Sequence, residues 1–344
     1  MHTDPLRSSQ QPRLRRGLAH LVAAAALAFV VGSASAQGAP GSPGAYPHTG
    51  RVAIVVPFAP GGATDIIARL MAEELGKRWG AAVVVDNRAG AGGNLGTEFV
   101  ARARPDGFTL LLGTQTALAV SPVLHRKLPY QVDKDFAPIT QLASTPLVLL
   151  ASNKAGAQDV KDLLAAIKAR PDGLSYGTSG IGTSQHLTML MMLNRAGGKA
   201  VHVPYKGSSQ SLADLAGQQI DMQFDNMATA LAFAKGGKGR ALAVTSAVRS
   251  ELAPDVPTLA ESGLPGFEAA TWLGLLAPAG TPEPVVAFLH REVRSVLVSD
   301  SVKVRLAAQG FSPKPMTPAE FRRYIEDETR RFGELVRVNQ VSVD

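Results

Sequence analysis

The stretch from Val52 to Asp65, VAIVVPFAPGGATD, constrains the fold of this chain more than any other. Val52 to Val56 is an unbroken apolar run, which a strand with one face in water does not show, so it reads as a strand buried on both faces, as in a parallel sheet. Pro57, Pro60, Gly61 and Gly62 then supply a turn, the prolines by fixing φ and the glycines by admitting positive φ. Thr64 or Asp65 is expected to cap a helix whose apolar face is Ile67, Leu70, Met71, Leu75 and Trp79. Such a unit leaves free N–H groups and the positive end of a helix dipole at the carboxyl end of a buried strand, where α/β sheets take anions. A single unit of this kind is most simply a connection. A second copy changes its meaning.

That copy lies farther along. A strand from Leu174 to Tyr176 is expected to open into Gly177-Thr178-Ser179-Gly180-Ile181-Gly182-Thr183-Ser184, after which His186 starts a helix through Leu190 and Leu193. Between the two copies, a strand from Val83 to Asp86, a glycine loop from Asn87 to Asn94, a helix through Phe99 and Val100, and a strand from Phe108 to Leu112 predict a parallel sheet flanked by helices. Thr114, Gln115 and Thr116 follow that last strand, where their side chains either contact a ligand or cap the next turn. From Phe136 the chain reads as two short strands, Ile139 to Ala143 and Leu147 to Ala151, broken by Pro146 on the way into a second lobe. Strands from Val201 to Tyr205, from Ile220 to Phe224 and from Ala241 to Thr245 are expected there. Asp225, just past one of them, is either a ligand contact or a cap. A strand from Thr271 to Leu276 returns to the first lobe. Thr317-Pro318-Ala319-Glu320 is a capping box with proline at the first helical position. The helix it starts, with Glu326, Asp327, Glu328, Arg330 and Arg331, reads as a solvated cover.

At 344 residues and 45% apolar content the chain can bury more than one core. Arg13, Arg15 and Arg16 precede a short apolar segment from Leu18 to Val31, and Ala34-Ser35-Ala36 follows in the small-residue pattern of a cleavage site, so residues 1–36 read as a secretory signal peptide. The apolar segment is shorter than the roughly 20 residues that span a bilayer. With no cysteine, lipid attachment at the cleavage site and disulfides are both excluded, which favours a free periplasmic protein. The formal charge of +7 falls to +4 once the four arginines and one aspartate of residues 1–36 are removed. A mildly basic protein suits small anions, and no basic run interleaved with aromatics points to nucleic acid. A Gly/Pro/Ser-rich linker from Gln37 to Gly50 is expected to be poorly ordered.

Enzymatic loops fail on spacing. Gly90-Ala91-Gly92-Gly93-Asn94-Leu95 lacks the third glycine of a dinucleotide fingerprint, since the next falls at Gly96. Gly177-Thr178-Ser179-Gly180-Ile181 resembles a nucleophile elbow until Ile181, where the second flanking glycine should stand. No phosphate loop or His-Glu-x-x-His helix exists, and seven scattered histidines without cysteine give no zinc site. His202 alternates with valines in a strand and reads as structural; His186 is a cleft candidate. Two facing anion-binding loops without a catalytic pair describe a binding protein, with neither cofactor nor metal.

The segments VVPFAPGGATD, VVDNRAGAGGNLG, RPDGFTLLLGT, DFAPITQLASTPLVLL, VHVPYKGSSQSLADLAGQQIDMQFDN and PDVPTLAESGLPGFEAATWLGLLAPAGTP closely resemble the Bug-type extracytoplasmic solute receptors, the substrate-binding proteins of tripartite tricarboxylate transporters. The likeness runs from about Tyr46 to the C-terminus. It implies an α/β, type II periplasmic-binding-protein fold: two lobes joined by two crossing strands, with ligand in the cleft. The implied organisation is a linker at 37–46, lobe 1 at 47–146, lobe 2 at 147–269 and a return to lobe 1 at 270–344. It also implies that a ligand carboxylate is held by the loops containing Phe58, Ala59, Gly61, Gly62, Thr64 and Asp65 on one lobe and Tyr176, Thr178, Ser179, Gly180 and Thr183 on the other, with His186, Asp225 and the Thr114 to Thr116 loop nearby. The implied partners are a small organic anion and membrane transporter subunits, or a sensor kinase, around a monomer; an enzyme retaining the fold is the remaining alternative. Where many members carry Thr-His-Ala-Ile-Asn-Pro, this chain has Ala117-Leu118-Ala119-Val120-Ser121-Pro122. Leu118 and Ser121 there suggest a less polar pocket, for a carboxylate with an apolar or aromatic body.

Overall fold

A computed structural model describes residues 46–343 apart from Thr49 and Lys206, so the expected signal peptide and nearly all of the linker lie outside the described residues. Tyr46, placed in that linker by composition, is instead buried: its hydroxyl donates to the Gly107 carbonyl at 2.8 Å and its ring packs on Trp79, Phe108 and Phe288. An aromatic ring with a hydroxyl acceptor in reach gains more from burial than its Gly/Pro/Ser neighbours lose by being ordered.

The first lobe runs β1 (Val52–Val56), α1 (Ala63–Trp79), β2 (Val83–Asn87), α2 (Asn94–Ala101), β3 (Thr109–Thr114) and two four-residue helices, α3 (Ser121–Leu124) and α4 (Val132–Asp135), into β4 (Phe136–Ser152). The second runs α5 (Val160–Ala169), β5 (Ser175–Thr178), α6 (Ser184–Ala196), β6 (Val201–Pro204), α7 (Ser208–Ala216), β7 (Met222–Asn226), α8 (Met227–Lys235) and β8 (Gly239–Val244). The chain returns through β9 (Ala270–Pro278), α9 (Glu283–Leu297), α10 (Asp300–Ala308), β10 (Ser312–Pro313) and α11 (Pro318–Val338).

One sheet has the order β2-β1-β3-β9-β4, with β10 on the edge of β4; β1 is parallel to β2 and β3, and β9 is antiparallel to β3 and β4. The other has the order β6-β5-β7-β4, with β8 also on β4. Strand β4 is therefore shared. Its residues through Pro146 pair with β9, and from Leu147 they pair with β7 and β8. The expected pair of short strands is one 17-residue strand, because Pro146 sits at the seam between the two ladders. A proline that lacks an N–H costs least where no ladder bond is required of it.

The second crossing, from β8 to β9, is stitched to the first at Thr245, whose N–H donates to the Leu147 carbonyl at 2.9 Å and whose hydroxyl adds two bonds. Thr245 Oγ1 accepts from the Leu147 N–H at 2.8 Å and donates to the Ala269 carbonyl at 2.7 Å. Strand β1 is buried as its apolar run predicts, and Ile67, Leu70, Met71, Leu75 and Trp79 of α1 all face the same core. The capping box of α11 forms: Thr317 Oγ1 accepts from the Glu320 N–H, and the Glu320 carboxylate takes the Thr317 N–H at 2.8 Å. The helix is more than a solvated cover, however. Phe321 presses so closely on β9 that Gly274 has no room for a Cβ, and Glu328 is buried.

Two boundaries move. Strand β5 extends through Gly177 and Thr178, which pair with Val203 and Pro204, so its loop begins at Ser179. Strand β7 begins at Met222 rather than Ile220, because Gln218 at φ 59° turns the chain and the Asp221 carboxylate ties that turn to the Ser175 N–H at 2.8 Å.

Candidate functional site

The loop after β1 meets the N-terminus of the 17-residue helix α1, where the first N–H groups have no intrahelical acceptor. Neither Thr64 nor Asp65 caps this helix. The N-cap is Gly62, in extended conformation, with no side-chain bond. Asp65, in the first turn, reaches back instead. Its Oδ2 accepts from the Gly61 N–H at 2.9 Å and from Arg69 Nε at 2.9 Å, and its Oδ1 from Arg69 Nη2 at 3.0 Å and Asn87 Nδ2 at 2.9 Å. The Arg69 guanidinium beside it holds the carboxyl down at about 2. Asn87 also donates to the Phe58 carbonyl at 3.1 Å. Asp65 is thus a tie behind the loop, while Ala59, Gly61 and Gly62 are exposed and Thr64 and Phe58 half-buried. Sequence reasoning missed Asn87; its signal is a polar residue at the carboxyl end of β2, in register with Val56.

The matching loop after β5 is built without charge. Thr178 Oγ1 accepts from the Gly180 N–H at 3.2 Å, donates to the Gly180 carbonyl at 3.1 Å and lies 2.7 Å from His202 Nε2. A hydroxyl that spends its proton on Gly180 requires His202 to donate from Nε2. His186 Nδ1 accepts from the Gly182 N–H at 3.1 Å, which puts its proton on Nε2 as well. The rings stack, Tyr176 on His202 at 4.8 Å and His202 on His186 at 4.0 Å. Burial, joined at His186 by its imidazole neighbour, pushes His186 down to about 3; burial pushes His202 down to about 4. Burial also raises the Tyr176 phenol, so the stack is neutral near pH 7. Thr183 caps α6, accepting from the His186 N–H at 3.5 Å and donating to the Gly180 carbonyl at 2.8 Å. Gly180 has φ +133°, and Ser179 donates to Gln185 Oε1.

The two loops belong to different lobes, and contacts across the lobe boundary connect their surroundings. The chain after β3 enters a π-helical turn, Thr116–Val120, beside the glycine loop that packs on Phe58. Gly182 of the second lobe seats against Val120 and Leu124 of that segment. Ser184 Oγ, at the start of α6, donates to Gln115 Oε1 at 2.8 Å and lies 3.2 Å from Thr271 Oγ1. Gln115 is wholly committed, since its Nε2 donates to the Ala270 carbonyl at 3.0 Å and to Glu328 Oε2 at 2.9 Å. Thr114 is buried, its Oγ1 accepting from the Ala117 N–H at 3.4 Å, and Thr116 is half-buried. Thr114, Gln115 and Ser184 thus join elements, while Thr116 is the half-buried member of the loop.

Of the two roles open to Asp225, its hydrogen bonds match the cap. It is completely buried, with Oδ1 accepting from the Asn226 N–H at 2.7 Å and Thr229 Oγ1 at 2.9 Å, and Oδ2 accepting from Gln223 Nε2 at 3.0 Å. Burial pushes its carboxyl up to about 6. It braces the start of α8, its bonds already filled. Leu118 likewise points into the core with Leu111, Trp272 and Phe321, so it does not make the cleft less polar. Ser184, Gln185 and Glu328 were not foreseen; the run of hydroxyls from Thr178 to Ser184 was the available signal for the first.

Two α/β lobes joined by paired strand crossings, with main-chain loops at the carboxyl edges of both sheets, define a two-lobe solute-binding protein. Residues 67–341 match the family described as tripartite tricarboxylate transporter family receptor, and the chain belongs to that family. It is 39% identical over 300 residues to BugT of Bordetella pertussis, covering 87% of this chain and 92% of BugT. Among solved structures, Rpa4515 of R. palustris with adipate superposes with a TM-score of 0.79 at 35% identity, covering 85% of this chain and 98% of that one. MatC from Rhodopseudomonas palustris with bound malate gives a TM-score of 0.74 at 35% identity, over 83% and 98%.

Proposed function

We propose that this receptor captures a small organic carboxylate between its lobes, outside the cytoplasmic membrane, and hands it to a tripartite transporter. The observation that carries this reading is the pair of glycine loops at helix N-termini, on opposite lobes, each tied from behind by its own side chains. A ligand carboxylate would take main-chain N–H groups from the loop of Ala59, Gly61, Gly62 and Thr64 and from the loop of Ser179, Gly180 and Thr183, where helix dipoles favour an anion. Asp65, Thr178 and His186 would hold those loops in place. Relatives with adipate and with malate support a dicarboxylate. Residues 1–36 would direct export and be removed, leaving a monomer.

A binding rather than catalytic role is supported by the commitments of the reactive groups. Ser179 donates to an amide, and His186 Nδ1 already accepts from Gly182, so neither serves the other as base and nucleophile. The test is thermal unfolding of the purified protein, stripped of ligand by denaturation and refolding, against adipate, malate and a panel of other acids. A ligand at 100 times its dissociation constant stabilises by about 2.7 kcal/mol, a rise of several degrees. A well-folded protein that answers to no carboxylate would sink the reading.

A further inference from the structure

A cavity of about 500 Å³ opens in lobe 1 between α11 and the segment from Pro122 to Val132. It is within the size range of small-molecule sites. Neither glycine loop lines it. Its wall is apolar at Leu128, Val132 and Ile325, and Arg322 stands on it near Asp133 and Glu326, while Arg330 is already paired with Asp327. Arg322 has no carboxylate partner among the described residues; it reaches only the Asp133 carbonyl, at 3.4 Å. Apolar surface beside the Arg322 guanidinium fits a molecule with an apolar body and one anionic head.

Both walls of this cavity are linked to the start of α6 through residues next to the lining. On one side, Tyr130 fastens the segment to the π-helical turn, its hydroxyl 2.7 Å from the Ala117 carbonyl and 2.8 Å from Asn94 Oδ1, and Leu124 of the same segment seats Gly182. On the other, Glu328 of α11 receives Gln115, which receives Ser184. A shift of α6 relative to lobe 1 therefore acts on both walls together.

We propose that this cavity is a second ligand site, for an amphipathic organic anion, whose occupancy is coupled to the interlobe cleft. The site stands on the cavity alone; the coupling rests on the cleft reading above. The probe is anilinonaphthalenesulfonate, titrated by fluorescence into the folded protein. Saturable binding at one site is expected, weakened about tenfold in Arg322→Glu and abolished in Val132→Trp, which fills the cavity; thermal unfolding shows that each variant is folded. Saturating dye should also shift the affinity for adipate, and adipate should shift the affinity for dye by the same factor. Equal dye affinity in wild type and both variants, or simple displacement of dye by adipate, would overturn the site; an adipate affinity indifferent to dye would overturn the coupling. Because the dye is first titrated without any carboxylate, that result stands whether or not the cleft takes adipate.

Discussion

The two lobes present similar glycine loops to the cleft but hold them by opposite means. Lobe 1 uses a charged tie, in which Asp65 gathers Gly61, Asn87 and Arg69, the last with its side chain 56% exposed. Lobe 2 uses hydroxyls and a stack of neutral rings, with His186 only 5% exposed. Each choice follows from its surroundings. Asp65 is itself buried, but its guanidinium partner reaches solvent and stays hydrated, whereas an ion in the second site, stacked between buried rings, would bear a desolvation cost that neutral donors and acceptors avoid.

Acid should break the second device first, and this is the largest effect expected. His186 and His202 have folded values of about 3 and about 4 against an ordinary 6.5, so the unfolded chain takes up protons first and their stabilisation drains away as pH falls below 6.5. Asp225 works the other way. Its value of about 6 against 3.8 means that the folded state gains a proton first, adding stability between those values on acidification. After discounting the less buried His202, the net loss from pH 6.5 to 4 is about 2–3 kcal/mol by urea unfolding. Asp225→Asn should roughly double that loss and leave the protein about as stable at neutral pH, since the Gln223 amide, whose Oε1 has no partner, can turn over so that the Asn Nδ2 donates to that oxygen. A flat profile across this range would mean that the rings do not hold the loop. The Asp65 tie should persist through the same window and fail only as pH falls from 3.8 through about 2.

Asp65→Ala comes next, with a loss of about 2 kcal/mol in stability and about tenfold in ligand affinity by titration calorimetry, because Gly61 and Asn87 lose their shared acceptor. Gly180→Val should cost about 1–2 kcal/mol through backbone strain alone, since a Cβ there has no neighbour closer than 3.6 Å. Its affinity should fall about as far as that of Asp65→Ala; unchanged affinity in both variants would place the ligand elsewhere. Arg69→Ala should have the smallest effect on stability of the three, as expected of a solvated partner.

Local patterns survived the passage from sequence to structure, and long-range commitments did not. The capping box at Thr317 and the apolar stripe of α1 are settled within a few residues of chain, and the alternation of strand and helix followed from such local patterns. Gln115 looked like a loop amide because its partners lie 69, 155 and 213 residues away. Glu328 looked solvated among its charged neighbours, yet it is the one turned toward Trp272 and Gln115. Asp65 satisfied every local expectation of a cap, and only the arrival of Asn87 from the neighbouring strand drew it back onto Gly61. For the ligand loops, spacing located the glycines but could not tell groups that face a guest from those that fasten the backbone behind it.

The seam at Pro146 has a mechanical consequence. One ladder ends and another begins on either side of a residue with no N–H to give, and the adjoining strand is fastened there through the Thr245 main chain and hydroxyl. A change in the angle between the lobes would fall on this short stretch of paired backbone and leave both ladders whole.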